Sequence, residues 1–206
     1  MPSSPVANRR YRGSSAEERR AQRREQFLEA AIQVYGEQGY RNATVKAVCE
    51  AAGLTERYFY ESFSNSEELL VASFQAVMRF LFGELEKAIA EASGGPVERA
   101  RAMLTAYYEA LQGHPQSARV FLVEISGVGP AVDQALEASL REFGDLIART
   151  LAPRGGGSAA SEPLLRAGVV GGVIHVALKW IASGYAQPIH EVVGAAVRLC
   201  LVLRGR

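Results

Sequence analysis

The sequence predicts an all-α fold of about nine helices, and three observations predict it. Apolar residues recur at i, i+3, i+4 and i+7 along most of the chain. Nowhere do they alternate with the period of two that a half-buried strand requires. Glycine and proline punctuate the junctions, at Gly53, Gly94-Gly95-Pro96, Gly113-His114-Pro115, Gly127-Val128-Gly129-Pro130 and Gly155-Gly156-Gly157. With 206 residues, 48% of them hydrophobic and 22% charged, the chain can bury a substantial core in one compact unit or two small ones.

Residues 1–14 are rich in Pro, Ser, Arg and Gly without periodic apolar positions, which predicts a disordered basic arm. Ser15 can cap the first helix, with Glu17 and Glu18 complementing its dipole. Its apolar stripe is Phe27, Ala31 and Val34, widened by Leu28, Ile32 and Tyr35. Gly39 ends it, with Tyr40 packing back as in a Schellman stop. Thr44 caps the second helix, whose buried face is Val45, Val48, Cys49 and Ala52. Gly53 supplies the left-handed turn, and Leu54 plugs into the core. Thr55 can cap a short third helix with Phe59 and Phe63 inside and Glu56, Arg57, Tyr58, Tyr60 and Glu61 outside. Two short helices crossing at a glycine turn, the second showing polar and aromatic groups, form a helix-turn-helix pattern.

The same residues resemble a known family. Gly53-Leu54-Thr55 followed by Phe59-Tyr60 and Phe63 is similar to the G-[VL]-[ST]-x-x-x-[LF]-Y-x-x-F signature of TetR-type (tetracycline-repressor-like) transcriptional regulators. The similarity runs from about Arg23 to about Leu70. One departure is that Ser66, where the family often has lysine, precedes Glu67 and Glu68, which bears on one customary phosphate contact. The resemblance implies a DNA-binding head over residues 15–65 and a helical ligand-binding and dimerisation body over residues 66–206. It implies that Thr44 and Lys46 contact phosphate, that Thr55, Glu56, Arg57 and Tyr58 enter the major groove, and that Tyr60 touches the DNA backbone. Arg57 has the fork to pair with guanine, and Glu56 can accept from cytosine or instead hold Arg57 or Tyr60 within the helix.

Charge distribution agrees with that reading. The net charge is only +1, but residues 1–24 hold seven arginines against two glutamates, a balance of +5, while residues 64–206 carry −1. The basic end is the helix-turn-helix end, as an electrostatic footprint for phosphate requires. The arginine-rich start of the first helix, Arg19 to Arg24, is placed to touch phosphate. Tyr11, among Arg9, Arg10 and Arg12, belongs either to a groove-following arm or to an untethered terminus. The chain has no HExxH, GxSxG or P-loop, and His114, His175 and His190 lack metal-ligand spacing, so no enzyme, catalytic residue, metal or cofactor is expected. Cys49 and Cys200 lie on apolar helical faces, as buried thiols of a reducing cytosol do. The polar N-terminus lacks a secretory core, and the apolar stretch from Ala167 to Leu178 is short for a bilayer, so a cytoplasmic protein without a membrane partner is expected.

The fourth helix starts at Ser64-Asn65-Ser66 with Glu68 completing a capping-box-like start, runs through Leu69, Leu70, Phe74, Val77 and Leu81, and ends near Ala92. Five helices follow, at Val97–Gln112, Gln116–Ile125, Ala131–Leu151, Pro163–Ser183 and Pro188–Leu203. The last two are apolar around most of their circumference, which predicts a homodimer through a four-helix interface, as the resemblance also implies. Two heads on a two-fold axis would read a palindromic double-stranded operator with half-sites ~34 Å apart. Polar or aromatic groups among apolar ones are the candidates for a small-molecule effector site: Tyr107, Tyr108, His114, Glu124, His175, Lys179 and Trp180, with Phe80, Phe121 and Phe143 as walls. Glu124 either meets a ligand or pairs with Arg119 or an arginine from another helix, and His175 is either a ligand contact or a satisfied core or interface histidine. The expected function is a repressor released from its operator by such an effector. The alternative is a dimeric DNA-binding regulator controlled by a protein partner or without any ligand.

Overall fold

The computed structural model describes residues 15–120, 122, 125, 127–152 and 162–204, and among them nine α-helices follow one another without a strand. The predicted arm, residues 1–14, lies outside the described residues. Helix α1 (Ala16–Gln38) begins with a full capping box. The Ser15 hydroxyl accepts from the Glu18 N–H at 3.0 Å, and the Glu18 carboxylate accepts from the Ser15 N–H at 2.6 Å. Its stripe buries Phe27, Leu28, Ala31, Val34 and Tyr35. The end of α1 departs from the expected Schellman stop. Gly39 has φ 82° but ψ 145°, so the chain leaves extended and enters a 3-10 turn, Tyr40–Asn42. Tyr40 nevertheless packs back edge-on against Tyr35, with ring centroids 5.3 Å apart.

Helix α2 (Val45–Ala52) starts as expected, the Thr44 hydroxyl accepting from the Ala47 N–H at 3.1 Å. Gly53 then adopts φ 64°, ψ 27°, the left-handed conformation that a residue without Cβ takes most cheaply. Helix α3 (Glu56–Ser62) has Thr55 at its N-cap position, but the threonine side chain makes no capping hydrogen bond. What holds α3 is aromatic. Phe59 and Phe63 are buried and meet Phe27 of α1 edge-on, at centroid separations of 5.7 and 6.2 Å.

Helix α4 (Ser66–Glu91) is capped by Asn65, which accepts from the Glu68 N–H at 2.8 Å. The returning bond comes from one residue further back than a capping box requires: the Ser64 N–H donates to the Glu68 carboxylate at 2.7 Å. That bond holds the Glu68 carboxyl below the usual glutamate range, against a smaller opposing effect of desolvation. Helix α5 (Pro96–Gly113) packs along α4. Helix α6 (Pro115–Arg119) is shorter than the predicted Gln116–Ile125, and residues 121, 123 and 124 of that segment lie outside the described residues. Helices α7 (Pro130–Leu151), α8 (Pro163–Ala182) and α9 (Ile189–Cys200) complete the body. The last predicted turn of α9 is a 3-10 turn, Leu201–Arg204.

The body core is a ladder of rings. Phe143 stacks on Tyr107 at 5.2 Å, Tyr107 meets Tyr108 at 5.0 Å, Tyr108 meets Trp180 at 5.8 Å, and Trp180 meets Tyr185 at 4.9 Å. Two polar tips find backbone partners: the Tyr108 hydroxyl donates to the Val173 carbonyl at 3.0 Å, and the Trp180 indole N–H to the Gln187 carbonyl at 2.8 Å. Both cysteines are buried. Burial pushes the Cys200 thiol up to about 12 and raises that of Cys49.

Helix α8 corrects the sequence reading on one point. It runs for 20 residues and is apolar enough along that length to cross a membrane, so length does not exclude a span. Val169, Val170, Val173, Ala177 and Trp180 are buried in the body, while Leu164, Ala167, Gly168, Gly171 and Leu178 stay exposed along the helix.

Besides α4, helix α1 joins the first three helices to the body by packing on α6. A Cβ added at Gly36 would lie 2.5 Å from Gln116 Cβ and 2.6 Å from Gln116 Cα. Alanine is a better helix former than glycine by about 1 kcal/mol, but overpacking typically costs ~1–3 kcal/mol, and here the obstacle is backbone. Gly36→Ala is therefore expected to lower the urea midpoint, and a raised midpoint would show that α6 yields freely. Thr44→Ala is expected to destabilise by about 1 kcal/mol through loss of the cap, with Thr44→Ser near wild type in the same titration.

Candidate nucleic-acid interface and body clefts

The short helix α3 presents its polar side because its apolar side is fastened to α1. Thr55, Glu56, Arg57 and Tyr60 are exposed, and Tyr58 is at the exposed margin. Thr44 and Lys46, at the start of α2, are exposed as well. The structure therefore brings Thr44, Lys46, Thr55, Glu56, Arg57, Tyr58 and Tyr60 to the surface of the helix-turn-helix. Lys46 lies 3.8 Å from Glu50 one turn on, an exposed pair that a phosphate can outcompete. Arg57 is paired with Glu61, Nε to Oε1 at 3.1 Å, rather than with the neighbouring Glu56.

Arg24 is placed differently from the others. Its guanidinium lies over the Phe63 ring, 4.1 Å from the centroid, and donates to the Ser62 carbonyl at 2.6 Å. Two neighbours act alike. Arg20 donates to the Glu61 carbonyl at 2.8 Å, and Arg23 lies over the Tyr58 ring at 4.5 Å and 3.9 Å from the Glu61 carboxylate. The last turn of a helix leaves carbonyls without intrahelical partners, and these guanidiniums supply donors and positive charge there. Sequence reasoning missed this clamp. The one available signal was the i, i+3 and i+4 spacing of Arg20, Arg23 and Arg24, which puts three guanidiniums on one side of α1.

Among the described residues, the effector candidates Tyr107, His175 and Trp180 do not share one cleft. Tyr107 and Trp180 belong to the buried aromatic ladder. His175 is exposed on α8. Phe121 and Glu124 lie outside the described residues. The body instead offers clefts at its margins. One of about 470 Å³ lies where α1, α6 and α8 meet, lined by Gly36, Glu37, Arg119, Leu122, Ile181 and Tyr185 among others. Another of about 450 Å³ lies between α7 and α8, with Leu140, Val170, Gly171 and Ile174 on its walls and an Arg166–Asp145 ion pair at its edge. Among the described residues no cluster of His, Cys, Asp and Glu is arranged to hold a metal.

Residues 27–72, which contain α2, α3 and the start of α4, match the bacterial regulatory proteins of the tetR family. The chain is 28% identical over 92 residues to the transcriptional repressor KstR2 of Mycobacterium tuberculosis, a match covering 45% of this chain and 46% of that protein. It thus spans about half the length of that relative. The transcriptional regulator BetI of Stenotrophomonas maltophilia is 28% identical over 177 residues, covering 79% of this chain and 90% of BetI. In fold, the chain is similar to the transcriptional regulator FadR of Bacillus subtilis in complex with stearoyl-CoA, with a TM-score of 0.71 at 19% identity over 85% of this chain and 96% of that one. The exposed helix-turn-helix surface and the all-helical body agree with these likenesses: residues 27–72 carry the domain of the tetR family of bacterial regulatory proteins.

Proposed function

We propose that residues 15–65 are the DNA-binding domain and residues 66–206 the regulatory and dimerisation domain of a homodimeric repressor, which leaves a palindromic operator when a small molecule binds the body. The observation that carries the DNA reading is the exposed row Thr55, Glu56, Arg57 and Tyr58 on a helix locked from behind by Phe27. In this reading Arg57 pairs with guanine, Glu56 accepts from cytosine, and Tyr58 meets a thymine methyl. Thr44, Lys46 and Tyr60 bind phosphate and fix the register. Arg24 serves DNA binding by anchoring α3. Such a regulator works in the cytoplasm, where the operator is.

The apolar exposed side of α8 supports the dimer. Leu164 is 89% exposed, and Leu178 of α8, Leu199 of α9 and Val202 after it are further exposed apolar side chains. Gly168 and Gly171 lie on the same side, and a Cβ at either position would meet nothing within 4 Å in this chain. Each glycine costs about 1 kcal/mol of helix stability relative to alanine, so a close approach by a second helix is the physical use for them. A second copy would also take this apolar side of α8 out of water, which accounts for its composition without a membrane. His175, on that side, is then an interface residue.

The aromatic ladder fills the middle of the body, so the effector site falls to a marginal cleft. The cleft between α1, α6 and α8 has the volume of a ligand site and touches both domains. The ligand named for the Bacillus subtilis FadR structure, stearoyl-CoA, makes acyl thioesters the first class to screen. The filled core also supports the alternative of control by a protein partner.

Selection of bound duplexes from a random library, at stated salt, is the direct test. A palindromic consensus is expected. Arg57→Ala is expected to cost ~1–3 kcal/mol and relax one base position, whereas Lys46→Ala weakens all sequences alike and flattens the salt dependence. A consensus unchanged in Arg57→Ala would refute the groove assignment. For the dimer, Gly171→Arg has room within the protomer and none in a close helix contact. Sedimentation should show it monomeric with an unchanged helical spectrum, and a wild-type dimer constant would count against the α8 interface.

A further inference from the structure

We propose that Glu61 is a positioning residue for base recognition: its carboxylate, shared between Arg57 and Arg23, holds the Arg57 guanidinium in one orientation. The proposal rests on the reading of Arg57 as a base contact. Glu61 Oε1 lies 3.1 Å from Arg57 Nε, and Oε2 lies 3.9 Å from an Arg23 terminal nitrogen. The three side chains form a gradient from interior to solvent. Arg23 is 22% exposed, Glu61 40% and Arg57 85%.

An isolated exposed ion pair fixes little, because solvent screens it and long side chains resist ordering. Glu61 is not isolated. Arg20 donates to its backbone carbonyl at 2.8 Å, and Arg23 is seated over the Tyr58 ring at 4.5 Å. Glu61 is thus fastened at its backbone carbonyl by Arg20, while its carboxylate has one oxygen 3.9 Å from the charge of Arg23 and the other directed to Arg57.

The chemistry of the Arg57 contact follows from which nitrogen is used. A guanidinium has five N–H donors in a rigid plane. With Nε occupied by Glu61, the two terminal amino groups remain as one edge, and that edge matches the paired O6 and N7 acceptors of guanine. Losing the carboxylate would leave Arg57 charged and exposed but free to turn, able to find a phosphate as readily as a base. Two effects of opposite sign follow. Specificity falls, because Arg57 is no longer oriented. Sequence-blind affinity rises, because a negative charge has left a surface that faces phosphate.

The test uses the full-length protein with Glu61→Ala, Glu61→Gln, Arg57→Ala and the Glu61→Ala/Arg57→Ala double variant. Each is assayed by library selection, by binding to an unrelated duplex, and by thermal melting. Glu61→Gln keeps the volume of the side chain and guards against a folding defect in Glu61→Ala. The expected result for Glu61→Ala is a loss of about 5-fold or more in discrimination at the base pair that Arg57 reads, with binding to unrelated DNA about 2-fold or more tighter. Glu61→Gln should fall between it and wild type in discrimination, and the double variant should match Arg57→Ala in discrimination while binding unrelated DNA more tightly than Arg57→Ala does. If Glu61→Ala keeps its discrimination while Arg57→Ala loses it, the positioning role is refuted and the base contact stands. If Arg57→Ala also keeps the consensus, the base contact itself is wrong and the proposal falls with it. Loss of all binding together with a lowered melting temperature in both Glu61 variants would mark Glu61 as structural and overturn the proposal.

Discussion

Phe27, Phe59 and Phe63 meet at ring separations of 5.7 to 6.2 Å, and the whole DNA-facing surface depends on that meeting. Helix α3 has seven residues, and a helix shorter than ~12–15 residues is marginal in water. It lacks even a side-chain N-cap. Its conformation therefore comes from burial of two rings against α1, and from the arginines that reach its C-terminal carbonyls. Thr55, Glu56, Arg57 and Tyr58 are left at the surface as a consequence, because Phe59 and Phe63, four residues apart, take the one side of α3 that faces α1. The exposed row proposed for base recognition arises here from what the same helix must hide.

The arginines of α1 show how charge counting and structure diverge. Residues 1–24 carry a balance of +5, and a uniform reading turns each of those arginines toward phosphate. Arg20, Arg23 and Arg24 spend donors and ring contacts on α3 instead. These uses are compatible with a basic field, since a guanidinium over a ring keeps its charge. They do change what truncation means. If both side chains serve DNA binding as proposed, removing Arg24 would loosen the α3 terminus as well as subtract a charge, mixing geometry with electrostatics, whereas Lys46, exposed and paired with Glu50 of the same helix, would give the cleaner electrostatic reading.

Legibility in the sequence followed the range of the interaction. Caps at Ser15, Thr44 and Asn65, the turn at Gly53, and the buried stripes of α1 to α4 were readable, because partners three to eight residues apart decide them. The stop at Gly39 and the cap at Thr55 were misread, although local, because a 3-10 turn and the aromatic seat of α3 override the simplest cap chemistry. The effector candidates were polar groups among apolar ones, and pattern cannot say which of those face a cavity. Tyr108 and Trp180 satisfy their polar tips on backbone 65 and seven residues away, contacts that only the packed body creates. Gly36 carried an unused signal. A glycine in the interior of a helical pattern is unfavourable unless something approaches closely, and Gln116 does.

In the proposed reading, that close approach bears on how a ligand bound in the body would act on the DNA-facing helices. Among the described residues, the body joins the first three helices through α4, continuous from the cap at Asn65 to Glu91, and through the contact of α6 with α1 at Gly36. The second is a close approach, because Gly36 carries no side chain and Gln116 Cβ and Cα lie where a Cβ of residue 36 would stand. A shift of α6 must move α1 or open a gap, and packed interiors resist gaps. Moving α1 moves Phe27, and with it the seat of α3. A ligand in the cleft beside Gly36 would thus act on the recognition helix through a short chain of hard contacts. It would do so only to the extent that it binds the shifted arrangement more tightly than the unshifted one, since equal affinity for both moves nothing. The cleft and the glycine contact share lining residues, so differential binding there requires no longer path.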